Sequence, residues 1–227
     1  MTSVSNVSIG AKLAGAAAAD ARHGMNEAIA RLSTGKRSMY GGDAAAQAMA
    51  DSIKAKGMSF AVAARNAEDG ISVAQTIEST LMEVASLAQR LRELAIQADN
   101  AALQSASDVL ALNAEAVAVA KAMALIVETT KFNGKQLMDT ADIDLAIGVT
   151  DAGNFSTISS QLVADASGIT AAAGAETQAD AILADVGEAL GNTAAAMTVL
   201  KARQAVAYSA SANMLAAASR LQDTDFA

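Results

Sequence analysis

The sequence predicts a mainly α protein: a coiled-coil bundle of long helices with one small β-hairpin. Three observations carry that prediction. No proline occurs among the 227 residues, so nothing fixes φ or deletes a backbone donor along the chain. Small and apolar residues recur at alternating spacings of three and four through most of the length, which places them on one stripe of a helix. One short stretch, Ile143, Leu145, Ile147 and Val149, alternates with a period of two instead. That is the pattern of a half-buried strand.

The elements follow in order. Residues 1–9 show no period and are expected to fray. From Ala11 to Leu32 the stripe runs Ala11, Ala14, Ala18, Ala21, Met25, Ala28, Leu32. Its alanines bury little area, so this helix needs a partner. Gly35 suits the left-handed position after a helix, and Gly41–Gly42 reads as a break. A short helix is expected from Ala44 to about Lys56, with Gly57 near its end. Then Gly70, Ala74, Ile77, Leu81, Val84, Ala88, Leu91, Ala95 and Ala98 form an unbroken a/d seam. Val73, Leu87 and Leu94 widen it at the flanking g position, which favours a bundle of three or four helices over a two-stranded coil.

Ser105-x-x-Asp108 resembles a capping box. It opens a helix with Val109, Leu112, Ala116, Val119, Met123 and Ile126 in heptad register. Asn133–Gly134 is a turn signal. The strand at 143–149 can be returned by FSTISSQL as a hairpin, and ASGITAAAGA reads as a flexible loop. From Thr177 the helix period resumes: Leu183, Val186, Leu190, Thr193, Met197, Leu200, Gln204, Ala207, Ser211, Met214, Ala218, Leu221. Gln204 and Ser211 are polar members of that seam. They either fix register at a cost in stability or are simply tolerated beside thin alanine layers.

Chemistry is hard to assemble from these residues. There is no cysteine and one histidine, His23, so no histidine triad, thiolate site or histidine cluster can form within one chain. Glu78 and Glu83 read as solvated bundle surface. Gly35–Lys36 lacks the rest of a phosphate loop. Met25, Met123, Met197 and Met214 fall on the stripes and read as core filler. No catalytic residue, cofactor site or metal site is assigned. The net charge of −8 argues against nucleic acid and anionic membrane surfaces. No charge-free apolar run reaches the length of a membrane span. The alanine-rich AKLAGAAAADA lacks the leucine-rich core of a cleaved signal.

Several strings carry a family likeness. RLSTGKR (31–37), DAAAQAMAD (43–51), ARNAEDGISVAQT (64–76), LAQRLRELAIQADN (87–100) and ETTKFNGKQLMD (128–139) resemble bacterial flagellin, in the family's order and spacing. SRLQDTDFA (219–227) resembles the stretch before that family's last helix. The resemblance implies a structural subunit of the flagellar filament, extracellular and without enzymatic activity. It implies export through the flagellar type III channel with an export chaperone, and polymerisation with other flagellin subunits under a cap protein. It divides the chain into an inner-tube helix and linker (1–41), the first part of a helical core domain (42–140), a hairpin and loop in place of the variable region (141–176), and a long core helix (177–227). It also implies a contact surface for the next subunit or for the flagellin-sensing Toll-like receptor: Gln89, Arg90, Glu93, Leu94 and Gln97, with Glu115 on the following helix. Leu94 is expected to be a partly exposed apolar anchor there.

Residues 192–215 match the family only loosely, so no contact residue is carried over in that segment. Two rival classes share the pattern: a hook–filament junction protein, and a chemoreceptor-like signalling bundle, which would lack the hairpin. A chain ending at Ala227 is expected to polymerise poorly for want of the final helix. Filaments seen by electron microscopy from the 227-residue chain alone would overturn that expectation.

Overall fold

The computed structural model describes residues 2–37, 43–139, 143–150, 153–160 and 166–223. Four helices dominate: α1 (Thr2–Thr34), α2 (Ala44–Ala98), α3 (Ala106–Thr129) and α4 (Glu176–Gln222). A 3₁₀ turn at Ala101–Leu103 joins α2 to α3. Two antiparallel hairpins complete the fold: β1 (Lys131–Phe132) with β2 (Lys135–Gln136), and β3 (Ile143–Gly148) with β4 (Phe155–Ser160). The chain divides into two compact units, Met1–Ser59 with Ser209–Ala227, and Phe60–Tyr208.

In the first unit α1 is helical from Thr2, where sequence reading expected fraying. Its first turns, TSVSNVSIG, are weak helix formers, so propensity does not account for this extension. Its stripe is solvent-facing: Met25 and Leu32 are both more than half exposed, so Met25 is not core filler. The helix ends as expected. Gly35 has φ 68° and donates its N–H to the Arg31 carbonyl at 2.8 Å, a left-handed cap. Lys36 then forms an antiparallel bridge with Asp223, and Arg37 donates its backbone N–H to the Gln222 carbonyl at 2.8 Å. The expected Gly41–Gly42 break lies outside the described residues.

Gly57 does not end a helix, contrary to the sequence expectation. A glycine inside a helix costs only about 1 kcal/mol relative to alanine, too little to stop a long one. What it provides is room: a Cβ there would stand 3.2 Å from Leu215 Cγ. In the same unit Asp51 and Gln222 are joined by a side-chain hydrogen bond of 3.4 Å.

The second unit is built on the α2 seam. All nine predicted members, from Gly70 to Ala98, are buried. They share one core with Leu112, Ala116, Ala120, Met123 and Val127 of α3 and with Ile182, Val186, Ala189 and Leu200 of α4. On α3 the buried set drifts from the strict heptad, so that Ala120 and Val127 are buried while Val119 and Ile126 are half-buried. A straight helix of 3.6 residues per turn slides about 20° per heptad, which moves the stripe by that one position. On α4 the buried set keeps heptad spacing but is offset at one seam position: Ile182, Ala189 and Ala196 are buried, whereas Leu183, Leu190 and Met197 sit half-buried at the core edge.

Local signals place the rest. Ser105 accepts from the Asp108 N–H, and the Asp108 carboxylate accepts from the Ser105 N–H at 3.0 Å. The Ser105 hydroxyl, which donates to the same carboxylate at 2.7 Å, and then the Ser105 N–H hold the Asp108 carboxyl below its usual range. Asn133 and Gly134 have φ 49° and 78°, the left-handed pair that a tight hairpin turn requires. The turn signal thus makes a second hairpin beyond the one that the sequence predicts. In β3–β4, Leu145 and Ile158 pair inward and are buried. Residues 166–175 are not a loose loop: Ala166, Ile169, Ala172 and Ala175 are buried, and Ala172 donates its N–H to Asn113 Oδ1 at 2.8 Å.

Two positions show how tight the core is. A Cβ on Gly70 would overlap Ile147 Cδ1, so any larger residue there would push the Ile147 side chain of β3 aside. Thr193 is 1% exposed and its hydroxyl has no hydrogen-bond partner. A buried unsatisfied hydroxyl costs about 1–3 kcal/mol. Thr193→Val keeps the shape and removes that cost, so the urea midpoint of unfolding should rise. An unchanged or lowered midpoint would show that the hydroxyl is satisfied.

Candidate functional site

The predicted contact residues occupy the end of α2 and the facing turn of α3, within the second unit. Gln89, Arg90, Glu93 and Gln97 lie off the a/d seam and are exposed, as is Glu115 on α3. Arg90 organises the group. Its Nε and Nη2 donate to one oxygen of Glu115 at 3.0 and 2.6 Å, and its Nη1 donates to Glu93 at 3.0 Å. The hydrogen bond to Glu115, then that to Glu93, raises the pKa of an already permanent cation. The guanidinium is therefore a fixed bridge between α2 and α3, half exposed, with two carboxylates beside it. Gln97 takes part through its main chain, accepting from the Gln104 side-chain amide at 2.5 Å.

Leu94 does not match the expectation. It is fully buried in the core, not a partly exposed anchor. The g position is a rim in a two-stranded coil, but here core residues of α3 and α4 cover both sides of the α2 seam. The exposed apolar residue on this face is Ile96, which is 50% exposed and is absent from the residues that the resemblance implies. Its place opposite the a/d seam was the signal that could have found it. Leu103, Leu110 and Leu125 continue the exposed apolar surface onto the 3₁₀ turn and α3.

The same unit holds a cleft of about 530 Å³, lined by Asn66, Asp69, Gly70, Phe132, Lys135 and Ile147 among others. Asn66 donates from its side chain to the Gly148 carbonyl at 3.1 Å, tying β3 to α2. Among the described residues no group of three or more histidine or acidic side chains converges to hold a metal ion. α3 is long and apolar enough by composition to cross a membrane; here its inner stripe packs in the core and its Glu115 pairs with Arg90.

The burial of Leu94 separates two substitutions at this site. Leu94→Ala should destabilise the protein by about 2–5 kcal/mol, as deletions of buried leucine do. Arg90→Ala should leave the unfolding midpoint near that of the parent, because its exposed ion pairs are screened by solvent. Thermal melts followed by circular dichroism measure both, and equal melting temperatures for the two variants would refute the placement of Leu94 in the core.

Comparison with known proteins agrees with the likeness in the sequence. The model of the bacterial flagellin N-terminal helical region matches residues 8–142. Flagellin of Halalkalibacterium halodurans is 34% identical over 216 residues, covering 88% of this chain and 78% of that protein. Flagellin of Xenorhabdus nematophila is 36% identical over 154 residues, 66% of this chain and 49% of the relative. Flagellin A of Vibrio cholerae is 41% identical over 116 residues, 51% of this chain, and the match spans only 30% of that relative's length. Flagellins are structural proteins rather than enzymes. The family match over more than half of the sequence and the long alignment to the Halalkalibacterium protein place this chain in the bacterial flagellin family.

Proposed function

We propose that the chain is a structural subunit of the bacterial flagellar filament, exported to the cell exterior and polymerised there with other flagellin subunits. One observation carries this reading beyond family membership: the outer face of the second unit is apolar where it has no need to be. Ile96, Leu103, Leu110 and Leu125 are between 50% and 82% exposed. Leu110 and Leu125 stand about 22 Å apart along α3, with the exposed Ala111, Ala114 and Ala118 between them. This apolar stripe, crossed by the exposed Lys121, supports a protein interaction surface. Exposed charges at Arg90, Glu93 and Glu115 flank it and would set the orientation of the neighbour.

The same row of polar side chains supports a second reading. Gln89, Arg90, Glu93, Gln97 and Glu115 form a continuous exposed set, suited to docking on the flagellin-sensing Toll-like receptor when the subunit is a monomer. The two readings are compatible, because a polymer buries what a monomer presents. The export chaperone and the cap protein are partners that the filament reading requires at earlier steps.

Mixing labelled chain with a flagellin that assembles by itself makes the test independent of any segment outside this sequence. The chain should enter the growing filaments and sediment with them. The double variant Leu110→Lys, Leu125→Lys should keep its helical circular dichroism and enter several-fold less. A parent chain that stays in the supernatant while the other flagellin polymerises would refute the filament reading.

A further inference from the structure

Charge is unevenly spread along the second unit. Between Glu83 and Glu115, on α2 and α3, and between Glu176 and Glu188, on α4, stand nine carboxylates and two arginines. These stretches lie at one end of the unit, because Arg90 bonds Glu115 and Arg92 donates to Asp180 at 2.8 Å and to Glu176 at 3.2 Å. Both arginines are thereby taken up by carboxylates of the same copy, and the excess charge is negative. At the other end, Glu68 of α2 accepts from Gln204 Nε2 at 2.9 Å and from Tyr208 Oη at 2.6 Å. There β1–β2 borders the cleft beside Asn66 and Asp69. Arg65, Lys131, Lys135, Lys201 and Arg203 are all exposed at this end, against four carboxylates. Three of those four, Glu68, Asp139 and Asp144, already hold contacts within the chain.

Each end also carries an apolar feature. At the acidic end Leu103 stands on the 3₁₀ turn, 82% exposed, the most exposed large apolar side chain among the described residues. Asp99 and Asp108 flank it in the chain, and both are exposed. At the other end the cleft is walled by Val73, Phe132, Leu137, Leu145 and Ile147. Lys131 precedes Phe132 on β1, and Lys135 faces it across the strand pair. The turn that carries Leu103 lies roughly 40 Å from the cleft, the rise of α2 from Val73 to its end at Ala98.

We infer that the acidic end of one copy docks on the cleft of a second copy, with Leu103 entering beside Val73 and Phe132 and with Asp99 and Asp108 turned toward Lys131 and Lys135. A second copy is the occupant because one unit carries both halves of the contact: an exposed leucine among carboxylates, and an apolar cleft edged by lysines. The two halves are different surfaces, so the contact is heterologous and passes from copy to copy. Tip-to-tip contact would instead set two excesses of carboxylate against each other, and like charges in juxtaposition disfavour an interface. Asp69, on the cleft wall, is the like charge that the incoming tip meets. The inference rests on the filament reading and names the two surfaces that meet.

The absence of cysteine permits a direct test with the chain alone. Leu103→Cys and Phe132→Cys are made in separate preparations, one of them mass-tagged, then mixed at low salt and oxidised with diamide. Yields are normalised to the rate of each thiol with a neutral maleimide. Every substituted residue is exposed, so each variant should keep the helical circular dichroism of the parent. The disulfide between the two variants should exceed either homodimer several-fold, and a chain carrying both substitutions should give a ladder of oligomers. Lys131→Glu with Lys135→Glu in the Phe132→Cys chain should cut the mixed product several-fold, and Asp99→Lys in the Leu103→Cys chain should recover part of it. Asp69→Asn should raise the yield, and salt raised from roughly 0.02 to 0.5 M should lower it, because exposed charges are screened. Equal yields for the three pairings, a prevailing Leu103→Cys homodimer, or a mixed product indifferent to these charges would each overturn the contact. Such a result from a chain that enters growing filaments would leave the filament reading standing. A strong mixed product from a chain that never enters them would refute that reading and keep the contact.

Discussion

The α2 seam is the constraint on which the second unit depends. Its nine members, from Gly70 to Ala98, are all buried, and the flanking Leu94 is buried with them. A stripe that wide cannot be covered by one neighbour. It requires apolar surface on both sides, and α3 and α4 supply it with residues of the same core. The hairpin β3–β4 depends on the same seam, because Ile147 seats where Gly70 leaves no Cβ. The contact surface depends on it as well: positions that the seam does not use are the ones left to face outward.

The helices were legible because their signal is redundant. A missing proline, an unbroken alternation of threes and fours and a capping box at Ser105 all point the same way, and α3 begins one residue after that cap. Gly57 was misread because a glycine in sequence cannot say whether it ends a helix or admits a neighbour; the proximity of Leu215 decides. The drift on α3 was hidden for a related reason. A heptad count assumes 3.5 residues per turn, and a straight helix has 3.6. The Asn133–Gly134 hairpin was missed because its strands have only two residues each, too few to show a period.

The candidate site was legible in part. Off-seam positions predicted the exposure of Gln89, Arg90, Glu93 and Gln97 well, because that follows from the register of a single helix. The burial of Leu94 was not legible, since it depends on how many helices surround α2. The bridge from Arg90 to Glu115 was equally invisible, because the two residues are 25 apart in sequence and meet only when α3 folds back against α2. Partners close in sequence can be read from a string; partners brought together by a turn cannot.

These features also explain why a chain so poor in reactive groups has so specific a surface. Its core is assembled mainly from alanine, leucine, isoleucine and valine, with large and small residues at fixed positions. Polar residues at the edges add bonds between the helices: Arg90 joins α2 to α3, and Arg92 and Glu68 join α2 to α4. All three project from one helix. α2 is thus the rod on which the other elements of the unit are aligned, and the alignment fixes where Ile96, Leu103, Leu110 and Leu125 emerge. In the proposed filament the same contact repeats from copy to copy and needs that apolar face in one place, which ties the polar edges and the apolar face together.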